Sequence, residues 1–66
     1  MAYIVCCDGG AIAVVNDSEQ HANLVMAQLR EKDFNRIREY APWSEINTME
    51  KYSEHYFWCV EKLPSL

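Results

Sequence analysis

The sequence predicts a small α+β domain in which one main amphipathic helix packs on a three-stranded antiparallel sheet of strand order 2-1-3. Three observations carry this prediction: two apolar runs joined by Asp8-Gly9-Gly10, an apolar stripe at helical spacing, and a closing apolar run. A chain of 66 residues is long enough for one domain, so residues 1–66 are expected to fold as a single ββα(α)β unit.

The first two strands are predicted at residues 2–7 and 11–15. Asp8-Gly9-Gly10 favours a tight hairpin turn between them because glycine adopts positive φ at no steric cost. The central turn residues can be Asp8-Gly9 or Gly9-Gly10. Either register predicts one face with Tyr3, Val5, Cys7, Ile12 and Val14, and the other with Ala2, Ile4, Cys6, Ala11, Ala13 and Val15.

The main helix is predicted at residues 18–31, with Asp17 or Ser18 as its N-cap. Residues 34–50 are predicted to be helical or irregular. In that segment either Asp33 caps a second helical piece or the first helix continues with a bend, and Pro42 ends it in both cases. The apolar stripe of the main helix consists of Ala22, Val25, Met26 and Leu29.

The closing strand is predicted at residues 55–62 and is apolar on both faces. One face would carry Tyr56, Trp58 and Val60, and the other His55, Phe57 and Cys59. The predicted hairpin is also apolar on both faces, whereas one helix covers one face. The second face therefore needs residues 34–50, a second copy of the chain, or another protein to cover it.

Charge argues against nucleic-acid binding. The formal net charge is −4, and the basic residues that fall together along the chain are interleaved with acids. A phosphate backbone calls for a basic excess. No run is apolar enough for a membrane span, and no secretion-signal pattern precedes the first strand, so a cytoplasmic protein without membrane contact is expected.

The titratable residues predict neither a catalytic nor a metal site, and no cofactor is expected. Adjacent Cys6 and Cys7 point to opposite faces of a strand, and His55 and Cys59 would be about 13 Å apart, too far for one zinc ion. An odd number of cysteines without a secretion signal indicates reduced thiols that fill the sheet. A non-enzymatic protein is therefore expected.

Aromatic residues are concentrated in the second half of the chain, and Trp and Tyr are enriched at protein interfaces. We therefore expect a small acidic interaction protein: a homodimeric regulator or inhibitor that binds another protein. In length, acidity and lack of catalytic residues it is similar to the accessory proteins of phages and mobile elements. The residues expected to make contacts are Trp43, Tyr40, Tyr52, Tyr56, Trp58, Arg36 and Arg38.

The alternative is a module that binds or sequesters a small molecule or nucleotide at a subunit interface. In that case tyrosine and tryptophan rings would stack on the ligand, and Arg36 or Arg38 would pair with an anionic group.

Overall fold

A computed structural model describes residues 2–64 of the chain, and its sheet contains three antiparallel strands in the order β2-β1-β3. This confirms the predicted α+β class and strand order. The elements are β1 at Tyr3–Cys7, β2 at Gly10–Val15, α1 at Glu19–Tyr40, α2 at Met49–His55 and β3 at Trp58–Lys62.

The hairpin turn has Asp8 and Gly9 as its central residues. Their φ angles are 52° and 83°, and two positive φ values are what a type I′ turn requires. Cys7 consequently lies opposite Gly10, which is the first of the two predicted registers.

A β-bulge then shifts the register, so that Val5 lies opposite Ala13 rather than Ile12. One inserted residue turns every later side chain of a strand to the other face. Val15 is therefore buried against the helix, whereas Val14 faces away from it and is 57% exposed. The predicted faces of β2 are wrong beyond the bulge for this reason.

Helix α1 begins after Ser18, whose Oγ accepts a hydrogen bond from the backbone N–H of His21 at 3.1 Å. The helix continues through Asp33, which is therefore not an N-cap, and ends at Tyr40, two residues before Pro42. No glycine or proline interrupts residues 19–40, so nothing in the backbone ends the helix at residue 31 as predicted.

The length of α1 determines the shape of the molecule. Twenty-two helical residues span about 33 Å, whereas strands of five or six residues span about 17–20 Å. The second half of α1 therefore extends beyond the sheet, and the molecule measures 46 × 17 × 17 Å. Helix α2 packs against this second half, where the rings of Phe34 and Tyr52 meet edge to face at 5.8 Å.

The last strand begins later than predicted, because helix α2 occupies the residues before it. Thr48 caps α2 by accepting from the backbone N–H of Lys51 at 3.2 Å, and the helix extends to His55. The predicted strand at 55–62 therefore begins at Trp58, and the irregular part of residues 34–50 is the connection between the two helices. Within residues 2–64, neither helix combines the length and apolarity needed to cross a membrane.

The hydrophobic core lies between α1 and one face of the sheet. Val5, Val15 and Ala22 are buried at its centre. Ala22 belongs to the predicted helical stripe, and Val25, Met26 and Leu29 of the same stripe pack against this centre, so the amphipathic pattern identified the packing face of α1. The residues around this centre are Tyr3, Ala13, Val25, Met26, Leu29, Trp58 and Val60.

Candidate functional site

A groove of about 770 Å³ opens where α1 runs past the end of the sheet. Lys32, Arg36 and Tyr40 of α1 line one side of the groove. Tyr56, the C-cap of α2, and Trp58, the first residue of β3, line the other side. The groove brings together four of the predicted contact residues, Arg36, Tyr40, Tyr56 and Trp58. They meet there because α1 lies against the start of β3, which follows α2 in the chain. These residues lie on separate elements that are distant along the chain, so no local sequence pattern predicts that they line one groove.

Three hydrogen bonds form a continuous chain along the groove. The indole Nε1–H of Trp58 donates to Tyr52 Oη at 2.8 Å, and the Tyr52 hydroxyl donates to Asp33 Oδ2 at 2.8 Å. Arg36 Nη2 donates to the other carboxylate oxygen, Asp33 Oδ1, at 2.7 Å. The chain connects β3, α2 and α1, so it fixes the groove walls relative to one another.

This hydrogen-bond chain shifts the pKa of two of its members. Burial by itself would raise the pKa of Asp33, but the hydrogen bonds from Arg36 and Tyr52 outweigh burial and hold it below its usual value. Burial, together with the hydrogen bond to Asp33, raises the pKa of Tyr52 well above its usual value. At neutral pH the Tyr52 side chain is therefore a neutral phenol that is hydrogen-bonded to the ionised carboxylate of Asp33.

The other predicted contact residues occupy different environments. The Tyr52 side chain is fully buried, so its ring does not contact the solvent. Arg38 lies over the Phe34 ring at 5.8 Å from its centroid and does not line the groove. Trp43 is 82% exposed, in the connection between the helices. The predicted set is thus divided among the groove, the core, the exposed ring of Trp43 and the position of Arg38 over Phe34.

A second surface, the open sheet face, lies on the side of the sheet away from α1. Because Val5 and Val60 pack against α1, their neighbours along β1 and β3 point to the other side. Phe57 immediately precedes β3, is 69% exposed, and extends this face past the first residue of the strand. The open sheet face consists of Ile4, Cys6, Ala11, Val14, Phe57, Cys59 and Glu61.

The backbone of Phe57 is held in place by Asp8. The Asp8 N–H donates to the carbonyl oxygen of Phe57 at 2.7 Å, and the Phe57 N–H donates to Asp8 Oδ1 at 2.9 Å. The backbone that carries the exposed ring is therefore anchored to the hairpin turn. The two-faced pattern of the closing strand predicted an apolar second face, but Phe57 was not among the predicted contact residues.

The described part of the chain offers few arrangements with other chemistry. No group of three or more His, Cys, Asp or Glu residues within 2–64 is placed to hold a metal ion. His21 lies on the surface, where its Nδ1 is 3.1 Å from Asp17 Oδ2. In comparisons with known proteins, the chain matches no family model, no curated protein and no solved structure.

Proposed function

We propose that this chain is a non-enzymatic interaction protein that forms a homodimer through the open sheet face and acts as a regulator or inhibitor by binding another protein. The observation that supports the proposal most strongly is that the open sheet face carries two exposed apolar side chains, Phe57 just before β3 and Val14 at the opposite corner of the sheet in β2. Apolar side chains grouped on one face of a small domain are typical of interaction surfaces.

The expected dimer is weak. Burying the exposed parts of Phe57 and Val14 contributes on the order of 1–2 kcal/mol each, and a two-fold dimer counts each contribution twice. The total of about 4–8 kcal/mol is similar to the lower part of the estimated cost of association, roughly 4–15 kcal/mol. The dimer should therefore dissociate on dilution, and another protein can compete for the same face.

Charge supports the choice of this face. Each copy has a net charge of −4, so two copies repel each other at long range. The open sheet face carries one charged side chain, Glu61, and a two-fold arrangement can separate the two copies of it. Added salt should therefore strengthen the dimer by screening the repulsion.

Sedimentation velocity over a range of protein and salt concentrations tests the dimer. We expect a concentration-dependent dimer for the wild type and a monomer for Phe57→Ser. Leu24→Ser is the matched control, because Leu24 is 56% exposed on α1, away from the open sheet face. A wild type that stays monomeric at every concentration, or a Phe57→Ser variant that dimerises normally, contradicts the proposed homodimer.

Binding of another protein needs a separate measurement. The tagged wild type, Phe57→Ser and Leu24→Ser are compared as baits in the same extract. A partner that uses the open sheet face should be retained by the wild type and by Leu24→Ser but lost with Phe57→Ser. Equal retention by all three baits would show that this face does not bind the partner.

The groove favours a second candidate function, the binding of a small aromatic molecule such as a nucleotide. Its volume falls within the range of small-molecule sites, roughly 300–1,000 Å³. Tyr40, Tyr56 and Trp58 offer rings for stacking, and Lys32 and Arg36 offer positive charge. One chain forms this groove by itself, so a ligand held there would not need a second subunit.

Thermal unfolding with added nucleosides and nucleoside monophosphates tests this candidate. Three carboxylates and two cations line the groove, so stacking should contribute more than phosphate pairing, and nucleosides should shift Tm nearly as much as nucleotides. Tyr40→Ala should reduce the shift, because it removes one of the three stacking rings. The variant should still fold, because Tyr40 is exposed and its loss leaves the core intact. An unchanged Tm with every compound would exclude nucleobases as ligands.

A further inference from the structure

Cys6 in β1 and Cys59 in β3 lie directly opposite each other in an antiparallel pair. The bonds from Asp8 N–H to Phe57 and from Leu63 N–H to Ala2 fix the alternation of the ladder. By that alternation Cys6 and Cys59 form a hydrogen-bonded pair, whose Cα atoms are about 5.5 Å apart. This separation lies within the usual Cα range of disulfides, about 4.4–6.8 Å.

Both thiols lie on the open sheet face. Opposing Cβ atoms in a sheet are about 4.5–5.5 Å apart, whereas a disulfide brings them to about 3.8 Å. The Cβ atoms of a hydrogen-bonded pair lie at the wide end of that range, so closing the bond requires the strands to approach by roughly 1.5–2 Å at this point. Strand β3 is at the edge of the sheet and is paired on one side only, so it can make this shift.

We infer that Cys6 and Cys59 form a redox-active dithiol, which a low-molecular-weight disulfide such as oxidised glutathione converts into an intramolecular cross-strand disulfide. The Cys59 thiolate attacks one sulfur of oxidised glutathione, and the first glutathione leaves as a thiolate. Cys6 then loses its proton to solvent and attacks the Cys59 sulfur, which releases the second glutathione. The protein loses two electrons and two protons, and oxidised glutathione becomes two molecules of glutathione.

The two thiols differ in accessibility, and this difference sets the order of the steps. Cys59 is half-buried, whereas Cys6 is 7% exposed, so a dissolved disulfide reaches Cys59 first. Burial raises the pKa of Cys6, and the nearby Cys59 and Glu61 raise it further. Cys6 is thus a poor first nucleophile, but it lies beside the mixed disulfide and can resolve it.

Cys7 provides the matched control. It lies opposite Trp58 and lines the groove on the other side of the sheet, so it cannot reach Cys59 without refolding of the hairpin. Burial also raises the pKa of Cys7, with a contribution from Asp8. The inference therefore predicts that Cys7 takes no part in the intramolecular bond.

Intact-mass measurement of the native full chain after incubation with oxidised glutathione tests the inference. The wild type and Cys7→Ser should lose two hydrogens, and peptide mapping should find the Cys6–Cys59 bond. Cys6→Ser should stop at a single glutathione adduct on Cys59, and Cys59→Ser should react much more slowly. Excess reduced glutathione should restore the wild-type mass, because a bond that needs a strand shift is readily reduced.

A stable glutathione adduct on wild-type Cys59, a bond that includes Cys7, or a bond between two chains would overturn the inference. The reaction is run with dilute protein, in which the open sheet face is free of any second copy. The inference does not depend on the proposed homodimer, so failure of either one leaves the other standing. If the dimer does form, higher protein concentration should slow the oxidation by covering both cysteines.

Discussion

Removing the Tyr52 hydroxyl should destabilise the whole domain, because that single oxygen joins three elements. Tyr52 is fully buried, and its hydroxyl both accepts from Trp58 and donates to Asp33, each at 2.8 Å. Tyr52→Phe keeps the ring and its edge contact with Phe34, so the change isolates these two hydrogen bonds.

The magnitude follows from the two partners that remain. A neutral hydrogen bond contributes about 1 kcal/mol and a bond to a charged group about 1.5–3 kcal/mol. The Asp33 side chain is 25% exposed and keeps its bond to Arg36, so water offsets part of the loss. We expect the free energy of unfolding to fall by about 2–3 kcal/mol, which lowers Tm by roughly 10–20 °C in a domain of this size.

Urea denaturation followed by far-ultraviolet circular dichroism, with dilute protein, measures this change. Tyr56→Phe is the matched control: Tyr56 stacks on Tyr52 at 4.9 Å between ring centroids, but its hydroxyl is not part of the hydrogen-bond chain. We expect Tyr56→Phe to stay within about 0.5 kcal/mol of the wild type.

A double-mutant cycle with Asp33→Ala, which removes the carboxylate that accepts from Tyr52, separates the two hydrogen bonds of Tyr52. The Tyr52–Asp33 coupling energy should be about 1–2 kcal/mol, because both groups belong to one hydrogen-bond network. A Tyr52→Phe variant as stable as the wild type, or a coupling energy near zero, would refute the conclusion that the hydrogen-bond chain through Tyr52 stabilises the domain.

Three further predictions concern acid stability, the hairpin turn and the tryptophans. Because the pKa of Asp33 is lowered in the folded state, its contribution to stability is present above its unfolded pKa of about 4 and is lost at lower pH; Asp33→Asn should flatten the fall in unfolding free energy measured there. Gly9→Ala should cost about 1 kcal/mol in urea denaturation, because φ is +83° and no atom lies near the added Cβ, whereas Gly10→Ala, without positive φ, should cost less. Trp43→Ala should leave the unfolding free energy within about 0.5 kcal/mol of the wild type, whereas Trp58→Ala should lower it by about 3 kcal/mol; equal losses would contradict the exposed position of Trp43.

Local signals account for the parts of the fold that the sequence predicted correctly. Asp8 and Gly9 tolerate the positive φ values of the hairpin turn, and Ser18 caps α1. The spacing of the helical stripe identified the face of α1 that packs on the sheet. Each of these features depends on residues that are near one another in the chain.

The bulge in β2 could not be predicted in the same way. Both Val14 and Val15 are apolar β-branched residues, so alternation alone does not decide which of them is buried. The register shift turns Val15 towards Ala22 of α1 and leaves Val14 on the open sheet face. Packing between distant elements therefore determined which surface a partner would meet.

The candidate sites depend on contacts that are distant along the chain. Tyr52 and Asp33 are 19 residues apart, and Phe57 and Asp8 are 49 residues apart, so no local pattern couples them. Tyr52 was predicted to be a contact residue, whereas the structure buries it as the central member of the hydrogen-bond chain between Trp58 and Asp33. For Phe57 the difference is reversed. It was predicted to lie on one face of the closing strand and was not among the contact residues, whereas in the structure it is exposed.

By itself, the sequence determined the fold class, the strand order and the hairpin turn. It also determined that both faces of the sheet are apolar although one helix covers only one of them. These features follow from side-chain periodicity and local backbone preferences. The tertiary structure alone decided that the second half of α1 and the start of β3 meet at a groove, and that the bulge directs Val14 outward. Those outcomes depend on how separate elements pack, and packing joins residues whose spacing in the sequence carries no record of the contact.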